Sequence, residues 1–173
     1  DCPWREQSMY IMDTRSQMLC GYYAFDNPEC ALSAIRLMAA GQKENGLFEL
    51  CFPAEVPITI PSFSLAFTTV VLEFTQFAKD CALAKEMLPV IEKMLGFFLS
   101  RLDGDGLFKT VSEEGIWHFY EWAGALDGAF FELDGSKKYR NEYDSLINAF
   151  LSIALDNTAK LFSVTGEYDK AIY

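Results

Sequence analysis

The sequence predicts an all-α chain assembled from helix hairpins, and three observations carry that reading. Apolar residues recur at three- and four-residue spacing over long stretches. Capping residues, prolines and glycines punctuate those stretches at helix-length intervals. No residue-level repeat is present, but paired helices joined by loops recur along the chain, the pattern of an α/α-hairpin array whose inner helices are apolar and whose loops at one end build a site.

Taken in order, residues 4–25 place Met9, Met12, Leu19, Tyr22 and Tyr23 among polar neighbours with no proline inside, which predicts a helix with one buried stripe. After Phe25-Asp26-Asn27, Asn27 is placed to cap and Pro28 to take the first position of a second helix, running to Ala40 and stopping at Gly41. Residues 46–61 contain Pro53, Pro57 and Pro61, so this stretch reads as an extended loop across one end of the domain. Ser62 is the expected cap of a third helix over 62–77, apolar nearly all round and therefore an inner helix. A fourth is expected over 81–102, with a kink or late start at Pro89. The turn Asp103-Gly104-Asp105-Gly106 leads through an aromatic segment, GIWHFYEW, to a fifth helix over 139–164 that Gly166 stops, and EYDKAIY opens another.

Composition limits what such a chain does. Of 173 residues, 51% are hydrophobic and 15% aromatic, enough for one buried core. With 25 acidic against 14 basic residues the net charge is −11, which opposes attraction to phosphate backbones and anionic lipid, so neither nucleic acid nor a membrane is an expected partner. No apolar run reaches the roughly 20 residues of a membrane span. The five cysteines, Cys2, Cys20, Cys30, Cys51 and Cys81, show no CxxC spacing and read as free, mostly buried thiols. One histidine, His118, leaves no multi-histidine metal site. No metal or cofactor is expected. DGDGLF starts like a calcium loop, but Leu107 and Phe108 stand where a ligand and a glycine are needed, so it reads as a turn.

Carboxylates are the plentiful chemical groups. DCPWREQ brings Asp1, Arg5 and Glu6 to the expected entrance of the first helix, where backbone N–H groups and the helix dipole favour negative charge. Those residues can serve a ligand, or Asp1 can cap the helix while Arg5 makes an ordinary ion pair. In IWHFYEW, Trp117, His118, Glu121 and Trp122 can face a ligand or form a packed aromatic cluster around a hydrogen-bonded His118.

The DCP-x-R-E run, followed two turns on by Asp13, resembles the segment that opens the catalytic face of α-L-rhamnosidases of glycoside hydrolase family 78, and Asp1, Cys2, Pro3, Arg5, Glu6 and Asp13 match it position by position. The likeness continues through PSFSLAF, IWHFYEW and NAFLSIALDNTAKLFSVTG and covers essentially the whole chain. Where many members carry a carboxylate doublet and then Gly-Trp, this chain has Glu6-Gln7 and Met9-Tyr10.

The resemblance implies a six-hairpin α/α toroid, of which residues 1–173 form the N-terminal half as a single, incomplete domain. It implies Glu6 as general acid, with Asp1, Arg5 and Asp13 binding sugar hydroxyls and Trp117, His118, Glu121 and Trp122 lining the pocket. The expected function is removal of terminal α-L-rhamnose or a similar sugar with inversion, the catalytic base lying beyond Tyr173, so that the half toroid alone is inert. A non-catalytic carbohydrate-binding relative and an α/α-hairpin interaction scaffold are the alternatives. A cut toroid also exposes inner faces, so a homodimer is expected, with helices carrying Phe63, Phe67 and Phe74 and Phe150, Leu155 and Phe162 as contacts.

Overall fold

The computed structural model describes residues 4–5, 7–111, 113–124, 126–127 and 143–172. Its elements are α1 (Ile11–Phe25), α2 (Glu29–Ala40), α3 (Pro61–Ala78), α4 (Ala82–Leu99) and α5 (Ser145–Thr165), with a 3₁₀ turn at Lys170–Ile172. Among the described residues there is no strand, only isolated bridges.

Tyr22 stacks on Phe77 with ring centroids 4.4 Å apart, and further up Met12 lines a small cavity with Leu65 and Ala66, so later residues of α1 meet later residues of α3. Asn157 donates to Thr69 Oγ1 at 2.9 Å, and Ala159 and Ser163 meet Leu72 and Gln76, so α5 follows the same sense. Helices α1, α3 and α5 therefore run parallel. Their N-terminal ends, and the loops that feed them, share one end of the array.

The core explains that arrangement. α3 is buried on nearly every side, including Leu65, Phe67, Val70, Val71 and Phe74, because α1, α4 and α5 all pack on it. Phe67, Phe98 and Phe108 are sealed from solvent, each stabilising by about 1.5–3 kcal/mol. One bidentate ion pair, Arg15 to Glu73, joins α1 to α3 and raises the guanidinium pKa through that hydrogen bond. Tyr22, buried beside the same glutamate, is pushed up to about 12, chiefly by burial.

Several boundaries differ from those the sequence predicts. α1 starts at Ile11 because Gln7 takes a left-handed backbone (φ 54°) and Met9 pairs in both directions with Phe52, at 3.1 Å each way. Arg5 thus lies in a turn before the helix, and the acidic residue in the first turn is Asp13. Its buried stripe is Ile11, Thr14, Met18 and Tyr22, while Tyr23 is 89% exposed. Asn27 Oδ1 does accept from Glu29 N, opening α2, and Gly41 closes it. Ser62 does not cap α3: Pro61 takes the first helical position, where its missing N–H costs nothing, and Ser62 is already inside. α4 runs through Pro89, starting where Asp80 accepts from Ala82 N. α5 begins at Ser145, because Asp144 is its true cap, accepting from Leu146 N at 2.8 Å, and Gly166 ends it in the left-handed region.

Of the cysteines, Cys51 is buried, Cys81 is half-buried, and Cys20 and Cys30 are exposed, so the expectation of mostly buried thiols fails for helix-surface positions. Cys2 lies outside the described residues. Phe67, Phe74 and Phe162 are buried within the chain, and Phe63, Phe150 and Leu155 pack against the same core. Because α3 and α5 cover one another, those residues are not open faces awaiting a second copy. The apolar side chains that do face outward include Tyr23, Phe25, Ile153 and Val164.

Candidate functional site

The loop at residues 42–60 is the floor on which the approach to α1 and the aromatic segment meet. It closes on itself where Leu50 N donates to Ile58 O, and it is pinned to α4 through Gln42, whose amide reaches Val90 O. Gly46 sits against α4 at φ 96°, where an added Cβ would lie 2.4 Å from Lys93 O. On one side, Phe52 holds Met9, two residues before α1. On the other, Thr59 accepts from Trp117 N at 2.8 Å and donates its own N–H to Gly115 O at 2.7 Å. The proline-rich loop therefore carries Met9 and the aromatic segment at the N-terminal end of α1, α3 and α5.

The aromatic segment is built from the inside outward. Trp117 is 8% exposed, and its indole N–H donates to Asp127 O. His118 is 1% exposed, with Nε2 donating to Val111 O at 2.9 Å, and burial holds its pKa below the ordinary value. Ser62, in the first turn of α3, donates to Phe119 O at 2.8 Å. Ile60, Trp117 and Phe119 form a separate apolar cluster under the loop. On it rests Trp122, 69% exposed, its ring centroid 5.7 Å from Trp117 and 4.8 Å from Phe119. Glu121 is exposed and turns one oxygen back to accept from Trp122 N at 2.6 Å.

Trp122 and Glu121 thus present an aromatic face beside a carboxylate, which suits a ligand with one C–H-rich face and hydroxyls at its edge. Trp117 and His118 lie beneath that surface. His118 packs and hydrogen-bonds inside the protein. Arg5 is exposed, as is Asp13. Asp1 and Glu6 lie outside the described residues. A cleft of about 720 Å³ starts at Gln7, Ser8 and Met9 and continues between α1 and α2 past Met18 and Tyr22. No group of three or more His, Cys, Asp and Glu side chains among the described residues could hold a metal ion.

Thr59, Tyr120 and Asp144, which sequence reasoning passed over, hold this arrangement together with Ser62, read from the sequence as a helix cap. Of those passed over, only Asp144 carried a readable signal, a capping residue directly before an apolar helix.

The model of the bacterial α-L-rhamnosidase six-hairpin glycosidase domain family matches residues 1–173. The chain belongs to this family. A GH78 family rhamnosidase of Bacillus sp. GL1 has a similar fold, with a TM-score of 0.82 at 23% identity over 99% of this chain and 16% of that one. A rhamnosidase from Klebsiella oxytoca, solved with rhamnose bound, gives 0.71 at 20% identity, over 99% and 32%. The chain therefore spans less than a third of the length of either. No curated protein matches it. In this rhamnosidase-family chain the all-helical α/α-hairpin array expected from the sequence is the fold observed, and none of its described helices is long and apolar enough to cross a membrane.

Proposed function

We propose that the chain is the N-terminal half of a catalytic toroid in a glycoside hydrolase that removes terminal α-L-rhamnose, or a similar sugar, with inversion. The observation that carries this reading is family membership over the whole chain, together with the meeting of Met9, just before α1, and the IWHFYEW segment on one loop. Glu6 acts as general acid at the leaving oxygen, and Asp1, Arg5 and Asp13 bind hydroxyls. Trp122 offers a stacking face, Glu121 keeps an oxygen for a hydroxyl, and Trp117 supports Trp122 from below. His118 serves the same wall from the interior.

Inversion needs a second carboxylate about 6.5–9.5 Å from the acid to activate water. That base is assigned to sequence beyond residue 173, and the half toroid alone is not expected to turn over. The K. oxytoca relative, seen with rhamnose bound, supports the choice of sugar. A carbohydrate-binding relative without turnover is the second reading. It is favoured by Gln7, an exposed amide where many members carry a second carboxylate.

The test is hydrolysis of a panel of aryl glycosides by the protein carrying the complete domain. Preferential release from the α-L-rhamnoside, with β-L-rhamnose as first product, supports the enzyme. Rhamnose binding without release supports the second reading. Absence of both removes the sugar assignment.

A further inference from the structure

Asp144 uses its two carboxylate oxygens for different tasks. One accepts from Leu146 N and starts α5; the other accepts the hydroxyl of Tyr120 at 2.7 Å. Tyr120 is the stem of the loop that carries Glu121 and Trp122: its N–H and that of Glu121 both donate to Leu126 O, at 2.8 and 3.2 Å, and its ring stacks on Phe150 of α5 at 6.2 Å. One residue earlier, Phe119 O is held by Ser62 at the start of α3. The exposed pair therefore stands on a stem fixed to two parallel helices, and among the described residues the Asp144 carboxylate is a polar tie between that stem and α5.

We propose that Tyr120 and Asp144 are positioning residues for the Glu121–Trp122 surface, setting where the indole and the carboxylate stand relative to a sugar ring. Neither touches substrate. The hydroxyl of Tyr120 adds little to the core, since its ring keeps the Phe150 contact without it, yet its loss removes the directional tie that sets the stem's position on α5. A displacement of the order of 1 Å in a binding wall weakens complementarity without touching the group that transfers the proton. The inference rests on the reading of this loop as a sugar wall, and the experiment separates the two.

Three variants are made in the protein carrying the complete domain. Tyr120→Phe removes the hydroxyl. Asp144→Ser keeps a good helix cap but is too short to reach Tyr120, whereas Asp144→Asn keeps the cap with its amide oxygen and places its NH2 against the Tyr120 oxygen, a reversed hydrogen bond of the same reach. Labelling with 5-fluorotryptophan gives a ¹⁹F resonance for Trp122, assigned by its loss in Trp122→Phe. Expected are a shifted or broadened Trp122 resonance and a roughly tenfold higher KM for an aryl α-L-rhamnoside, with kcat within about twofold, in Tyr120→Phe and Asp144→Ser. Asp144→Asn should restore both readouts. An unmoved Trp122 resonance in Tyr120→Phe overturns the positioning role. A moved resonance with unchanged KM keeps the positioning role and overturns the sugar wall. If the wild-type protein hydrolyses no glycoside, the resonance alone decides the positioning role and the proposed function falls separately.

Discussion

Single side chains here divide into those that face outward and those that hold them. Trp122 is 69% exposed yet rests on Trp117 and Phe119, so Trp122→Ala should leave folding nearly intact while weakening L-rhamnose binding by roughly tenfold, measured by calorimetry. Retained affinity would remove Trp122 from the site. His118 has the opposite character. Burial holds its pKa low, opposed by its hydrogen bond to Val111 and by the charge of Asp144. The unfolded chain therefore takes up more protons as pH falls through the ordinary histidine range. The stabilising contribution is fully present above that range and declines below it. Urea unfolding at about pH 7.5 and about pH 5.5 should show the wild type losing stability on acidification, and His118→Gln should lose less. The sequence left both roles of His118 open, since a lone histidine in an aromatic run can line a pocket or pack in a core. Contacts with Val111 decided its position, and no spacing rule announces a partner seven residues back in an irregular loop.

At the scale of elements, most helices were legible because their punctuation is local. Asn27 before α2 and Gly166 after α5 act as their residue types require. Failures came where tertiary contacts override such signals. The pairing of Met9 with Phe52 delays α1, and Ser62, a good capping residue by type, instead reaches across to Phe119. The floor loop was readable only as irregular, since Pro53 and Pro57, with Pro61 at its end, exclude a helix without saying what the chain packs on. Its tightest point is Gly46, where a Cβ would strike the backbone carbonyl of Lys93 in a left-handed conformation. Gly46→Ala should therefore destabilise by about 1–3 kcal/mol. Gly104→Ala, with nothing within 4 Å of an added Cβ, should change stability by less than about 1 kcal/mol. Denaturant titrations compare them, and equal effects would mean that the loop is not wedged against α4.

At the scale of the molecule, the parallel course of α1, α3 and α5 gathers the loops that precede them at one end. This is why segments more than a hundred residues apart can share a floor. The sequence indicated apolar inner helices and loop-borne chemistry, but not that α3 and α5 seal each other. That contact moves any pairing surface to outward residues such as Tyr23, Phe25, Ile153 and Val164. We expect the 173-residue chain to dimerise through such residues, and light scattering should give twice its 19.6 kDa mass. A stable monomer would show that its outward apolar residues need no cover. In the proposed function, Glu6 donates the proton to the leaving oxygen. In the protein carrying the complete domain, Glu6→Gln keeps the side chain's shape and removes the transferable proton. The direct measurement is kcat/KM of this variant on a natural α-L-rhamnoside and on an activated aryl one. Expected is a loss of about 10²- to 10⁴-fold on the natural substrate and a much smaller loss on the activated one, whose leaving group needs little protonation. Unchanged hydrolysis of the natural glycoside would contradict that role of Glu6.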